Sequence, residues 1–239
     1  QGTLASANAA TAIGRQANAS GNGSTAIGSA SKASGSAATA FGSGTSASGT
    51  NSTALGQGAQ SSGVYSSAVG TKANASGLGS SAFGSGSVAS GKYASAYGAG
   101  SNASGDASVA VGLQSKASGK GAVAIGRNAV ASDEYSVALG ANSTTSAPVG
   151  TTNATVGGVN YGGFAGTAPV ATVSVGSRGS ERTITNVAAG RITSDSTDAI
   201  NGSQLYAVQN VLGNAAQTVK NVLGGNAAVD EDGRLTTRD

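Results

Sequence analysis

Leu113-Gln-Ser-Lys-Ala-Ser-Gly-Lys-Gly-Ala-Val-Ala-Ile-Gly126 is followed without a break by Arg127-Asn-Ala-Val-Ala-Ser-Asp-Glu-Tyr-Ser-Val-Ala-Leu-Gly140. Each stretch is 14 residues long and ends in Ala, a large apolar residue and Gly. Read upstream, the same row recurs back to the start, so residues 1–140 divide into ten rows of 14. Half a row after each terminal Gly comes a second marker, usually Ala-Ser-Gly, as in Ala19-Ser20-Gly21 and Ala75-Ser76-Gly77; after Gly126 its Gly is replaced by Asp133. A period this short and regular means stacked coils. A row of this length suits two strands of about five residues joined by two tight turns. Gly at positions 7 and 14 is expected to supply the backbone freedom for those turns. Rows stacked about 4.8 Å apart give a rod of roughly 50 Å.

Strand alternation sorts the side chains. Positions 10 and 12 share one face and are always small: position 12 is Ala in every row, and position 10 is Ala or Ser. On the other strand, position 5 is Ala except for Ser61, and position 3 is Ala, Ser or Thr. Such residues suit the inside of a narrow roll. Position 13 then faces outward and builds a stripe from Ile13, Ile27, Phe41, Leu55, Val69, Phe83, Tyr97, Val111, Ile125 and Leu139. A stripe of that size marks an interface, and packing around an axis shared with copies of the same chain is the expected use. The alternative turns the roll inside out, with the large residues inside a monomeric solenoid. Ser recurs at position 6 of all ten rows, which suggests turn hydrogen bonding or a Ser ladder.

Composition agrees with a repeat that shares its core. The chain of 239 residues has 40 Gly, 4% aromatic and 10% charged residues, and neither Cys, His, Met nor Trp. A lone chain so poor in large apolar side chains buries little area per residue. Without Cys and His, the commonest nucleophile, general base and metal ligands are missing. No acid–base pair stands out either, so no enzymatic activity, no metal and no cofactor are expected. The net charge of +3 comes without basic clusters, which argues against nucleic-acid binding. No apolar run is long enough to span a membrane as a helix. Several Asn-x-Ser/Thr sequons, such as Asn18-Ala-Ser20 and Asn74-Ala-Ser76, are read as accidents of a Ser-rich repeat. Gln1 begins in mid-pattern, so the chain reads as part of something longer.

The 14-residue register stops after Gly140. Residues 144–170, with Pro148 and Pro169, read as an inserted loop or short hairpin. The alternation in Thr172-Val173-Ser174-Val175 predicts a strand within the next segment, 171–204. A helix follows, with Thr197 or Asp198 as candidate cap. Leu205, Val208, Leu212, Ala215, Val219 and Val222 are spaced 3-4-3-4-3, the seam of a coiled coil over 205–224, though an ordinary amphipathic helix on a globular core has the same pattern. Residues 225–239 look like the start of a further module.

These rows resemble the head of the trimeric autotransporter adhesins (the YadA-like family). Ser108-Val-Ala-Val-Gly-Leu-Gln-Ser115 and Ser136-Val-Ala-Leu-Gly-Ala-Asn-Ser143 match its head signature, apart from the usual preceding Asn, where Ala107 and Tyr135 stand. Val173 to Gly176, Gly179, Glu181-Arg182, Ile184, Asn186-Val187, Ala189-Gly190 and Thr197 to Leu205 are similar to its neck, and Tyr161-Gly-Gly-Phe-Ala-Gly166 to its head-insert motif. The resemblance implies a left-handed parallel β-roll head over 1–143 in a homotrimer, a neck over 171–204 and a coiled-coil stalk. It also implies anchoring in the outer membrane of a Gram-negative bacterium, although this stretch lacks the family's membrane anchor and is expected to make no membrane contact. Attachment to host cells or extracellular matrix follows, with collagen and fibronectin as ligand classes. Neck candidates are Glu181, Arg182, Asn186 and Asp198, the first two as a pair between chains or as plain surface charge. Ligand-contact candidates are Lys32, Lys72, Lys92, Lys116, Lys120, Tyr65, Tyr93 and Tyr135. The competing functions are a structural spacer rod and an ice-binding-type solenoid. The latter is disfavoured because position 11 drifts from Thr11, Thr25, Thr39 and Thr53 to Ser and then Val.

Overall fold

The structure, a computed structural model, describes residues 2–237. The chain divides into two compact units: residues up to Val149 with Pro169–Arg182, and Gly150–Ala168 with the segment from Thr183 onward.

The first unit is a parallel β-solenoid. Each row contributes one strand to a 10-stranded sheet and one to an 11-stranded sheet. Pairing is parallel and in register from row to row: Ala68 lies beside Ala54 on one side and Ala82 on the other. The interior is filled as the alternation requires. Ala19, Ala26, Ala33, Ala40 and their equivalents in the later rows are buried, and Ser24, Ser52, Ser80 and Ser108 lie among them. The inside-out arrangement is thereby excluded. Ser61, the exception at position 5, serves its own row: Ser66 gives its proton to the Gly63 carbonyl (2.7 Å), and Ser61 lies 2.6 Å from the Ser66 hydroxyl.

Four expectations need correction. The strands have two and three residues, not five, because the turns take up the rest of the row. The Gly at position 7 is not there for a positive φ. A Cβ on Gly77 would sit 2.0 Å from the Gly91 carbonyl oxygen, so stacked turns touch backbone to backbone and leave no room for a side chain. The left-handed residues are instead at positions 2 and 9, including Tyr65, Lys72, Tyr93 and Tyr135; only the Gly at position 14, with φ between 106° and 134°, acts as expected. The turn-bonding hydroxyls are at position 3, where Ser87 and Ser101 donate to Gly84 and Gly98 carbonyls, and at position 10, as at Ser66, whereas Ser at position 6 is exposed. Finally, the register does not end at Gly140. The chain leaves the roll after Thr145 and returns at Thr172, and Val173–Ser174 pairs with Val137–Ala138 as the last strand of the larger sheet. The interval between partners grows from 14 residues to 36 because the insert is spliced into an eleventh row. Asp133 fits at position 7 because its turn is met by the Thr145 side chain instead of another Gly; Thr145 Oγ1 donates to its carboxylate at 2.6 Å.

In the second unit, Asn153–Val156 and Val159–Gly162 form an antiparallel hairpin, turned by Gly157 and Gly158 at positive φ. Helix α1 spans Gly202–Leu223 and starts at neither Thr197 nor Asp198. Asn201 is its N-cap, in a reciprocal capping box with Gln204. Ala227–Val229 and Leu235–Thr237 pair as a second hairpin.

Candidate functional site

The roll has two outer sheet faces and two turn edges. On the larger sheet, position 13 stands outward. Ile13 is 57% exposed and Phe41 50%; Leu55, Tyr97, Ile125 and Leu139 are also exposed. Ile27, Val69, Phe83 and Val111 are half-buried by their neighbours in the column. Phe83 and Tyr97 stack with centroids 5.1 Å apart and planes 13° from parallel. The column is thus continuous, apolar and uncovered on the single chain. Position 11 beside it runs from Thr11 to Thr53, through Ser, to Val109, Val123 and Val137. The apolar band therefore widens toward the last rows.

The five lysines and three tyrosines singled out from the sequence do not form one patch. Lys32 and Lys116 are on strands of the smaller sheet, and Lys72 is in the turn that follows position 14. Lys92, Lys120, Tyr65, Tyr93 and Tyr135 share the opposite turn edge at positions 8 and 9. Two tyrosine rings lie over a glycine one row earlier: a Cβ on Gly79 would be 2.8 Å from Tyr93 Cδ1, and one on Gly121 would be 2.7 Å from Tyr135 Cδ1. Lys120 Nζ sits 5.9 Å from the Tyr135 ring centroid. The Tyr135 hydroxyl, and then the Glu134 carboxylate, hold the Lys120 ammonium above its ordinary pKa. Asp106 accepts the Lys92 backbone N–H at 2.9 Å. Asp106 and Glu134 belong to this edge although they stand far apart in sequence. Only stacking aligns them.

The neck candidates fall into two groups. Arg182 closes the top of the roll: Nη1 donates to the Val175 carbonyl (2.7 Å) and Ser143 Oγ (3.0 Å), and Nη2 to the Ala141 carbonyl (2.7 Å). Glu181 accepts the Gly179 N–H at 2.8 Å, and that bond keeps its carboxyl below its ordinary pKa. Both therefore find partners within their own chain. In the second unit, Asp198 takes a two-pronged ion pair from Arg191, with Nε–Oδ2 2.7 Å and Nη2–Oδ1 3.1 Å, which lowers its pKa. Asn186 holds φ at +60°. Gln204, not singled out from the sequence as a site residue, grips the Gly190 peptide at both ends, accepting its N–H at 2.9 Å and donating to its carbonyl at 2.7 Å. Asn201 Nδ2 donates to the Val187 carbonyl at 3.0 Å.

No residue of α1 is buried. Leu205, Val208, Leu212, Val219 and Val222 are exposed, with Ala215 between them. Among the described residues, no cluster of acids could hold a metal ion, and no helix is long and apolar enough to cross a membrane.

Two family models match the chain. The YadA head domain repeat (2 copies) matches residues 5–31, 33–59, 61–87, 89–115 and 117–143, more than half of the sequence. The coiled stalk of trimeric autotransporter adhesin matches 183–228. The autotransporter adhesin BtaE of Brucella suis biovar 1 (strain 1330) is 59% identical over 75 residues, covering 31% of this chain and 10% of that protein. The trimeric autotransporter adhesin AtaA of Acinetobacter sp. (strain Tol 5) is 53% identical over 55 residues, 23% of this chain and 1% of that protein. The chain thus spans a tenth or less of these relatives' lengths. The crystal structure of the collagen-binding domain of Yersinia adhesin YadA superposes with a TM-score of 0.52 at 30% identity, over 81% of this chain and 87% of that one.

Proposed function

Because the chain belongs to the trimeric autotransporter adhesins, we propose that three copies meet through the position-13 column in the roll and through the α1 seam in the second unit, and that the assembled head attaches the cell to host cells or extracellular matrix. Membership in the family puts the chain at the surface of a Gram-negative bacterium. The observation that carries the trimer is the uncovered apolar column from Ile13 to Leu139. A helix that buries none of its own apolar residues supports the same arrangement downstream.

Adhesion then follows from repetition. Shallow surfaces recur along the rod on three chains, and weak contacts add up through avidity. The chain acts by binding, not catalysis. The solved relative named for collagen binding makes collagen the first ligand to test, with fibronectin second. Lys32, Lys72, Lys92, Lys116, Lys120, Tyr65, Tyr93 and Tyr135 are the contact residues in this reading. The experiment is binding of the purified trimer to collagen- and fibronectin-coated surfaces, beside a variant with the five lysines replaced by Ser. Saturable binding that the variant loses supports the assignment. Binding that survives removes the lysines from it, and binding to neither matrix protein nor host cells leaves a spacer rod.

A further inference from the structure

Rows 7 to 10 place Lys92, Asp106, Lys120 and Glu134 one above another at position 8 of the turn edge, with Tyr93, Ala107, Gly121 and Tyr135 beside them at position 9. The charges alternate in sign at one-row spacing, roughly 4.8 Å. All four side chains are exposed, and among the described residues no ion pair joins them. The six earlier rows carry no charge at position 8. A pattern confined to four rows needs its own reason.

We propose that this edge docks against the same edge of a second copy running in the opposite direction. Reversal turns the pattern into its own complement. Lys92 then faces Glu134 of the second copy, Asp106 faces its Lys120, and the other two contacts repeat these by symmetry. Position 9 obeys the same reversal. Tyr93 meets Tyr135 of the second copy at both ends, while in the middle Ala107 faces Gly121, over which the Tyr135 ring of its own chain lies. A parallel, in-register arrangement sets like charges against each other. A parallel arrangement slipped by one row restores three opposite pairs but leaves each tyrosine against a small residue. Such a contact is head-to-tail, whereas the antiparallel one is isologous at each edge. The surface is a turn edge, separate from the column assigned to the trimer axis. It shares Lys92, Lys120, Tyr93 and Tyr135 with the ligand candidates but requires no host molecule.

The test uses the 239-residue chain alone in sedimentation velocity. At about 50 mM salt the assembled species should associate further, and above about 500 mM it should not, because exposed charges are then screened. Lys92→Glu with Lys120→Glu makes the edge all acidic, and Asp106→Lys with Glu134→Lys makes it all basic. Each variant should stay unassociated, and mixing the two should restore association. Loss of folding cannot produce that rescue. Lys92→Glu with Glu134→Lys separates the registers: it keeps every antiparallel pair opposite in sign but creates two like pairs in the slipped parallel one. Association retained by this variant supports the proposal. Its loss, or a wild-type chain that never associates at low salt, overturns it.

Discussion

At the scale of single residues, the roll is set by where a Cβ can exist. Two glycines that look alike in sequence can answer to different physics. Gly77 has an ordinary φ, but a methyl on it would lie 2.0 Å from the Gly91 carbonyl oxygen, an atom held in its own turn by the Ala94 N–H at 3.2 Å. Gly23 has φ +67° and nothing within 4 Å of its would-be Cβ. Gly77→Ala must therefore push two rows apart and should cost about 1–3 kcal/mol or more. Gly23→Ala costs only left-handed strain, about 1–2 kcal/mol less what the unfolded chain loses in freedom. Thermal melts of the two variants should show the larger drop for Gly77→Ala; equal melting points would contradict backbone contact as the reason for that glycine. Position 9 shows the reverse tolerance. It is left-handed in every row yet accepts Tyr65, Tyr93 and Tyr135, which stay more than half exposed along the edge while two of the rings lie over a glycine of the row before.

At the scale of elements, what could be read from the sequence was whatever repeats. The alternation at positions 10 to 13 placed Ala inside and the large residues outside, because that period is a property of any strand. The 3-4 spacing from Leu205 to Val222 likewise announced the helix. What the sequence hid depends on distant partners. The eleventh row is closed by Thr172 to Gly176, whose pairing with Val137 spans the whole insert, and no local pattern links the two. The helix start was misplaced for a similar reason. Asp198 is a good cap by type, but Arg191 already holds it, and Asn201 is chosen because Gln204 can reach back to it and to Gly190 at once. Gln204→Ala should therefore free the Gly190 and Asn201 amides and cost about 1 kcal/mol in helix stability. Hydrogen exchange at these two amides reads the first effect. Slow exchange retained in the variant would show that other contacts hold the neck. The Arg191–Asp198 link adds a pH dependence. The Asp198 pKa is lowered in the folded chain, so its stabilisation is present above the ordinary carboxylate value and is lost as pH falls through the depressed one. Exchange at the Arg191 amide, which donates to Asp198 at 3.1 Å, should rise only in that acid range, and Asp198→Asn should remove the step.

At the scale of the molecule, inside and outside are built from different residues, which makes assembly separable from folding. The interior of the roll is Ala and Ser, held by row-to-row backbone bonds such as Gly98 N to the Phe83 carbonyl (2.8 Å), and no position-13 side chain contributes to it. Replacing Leu139 by Asp should leave the solenoid folded while removing a side chain worth about 1.5–3 kcal/mol when fully covered. In a trimer it would also bring three carboxylates together near one axis, a buried like-charge cluster far more costly than the missing leucine. The expected result is an unchanged β-sheet signal with a fall in solution mass from three times 22.3 kDa toward 22.3 kDa. The band is not uniform, and that gives the test a gradient. Leu139 is flanked by Val137 at position 11, but Ile13 is flanked by Thr11, whose hydroxyl tolerates water. Ile13→Asp should then loosen only the first rows and leave the trimer mass intact at concentrations where Leu139→Asp dissociates it. Equal effects at the two ends would mean that the column is used evenly and that the valines of the last rows add nothing. No effect at either end would mean that this face is not where the chains meet, and that the α1 seam alone holds them.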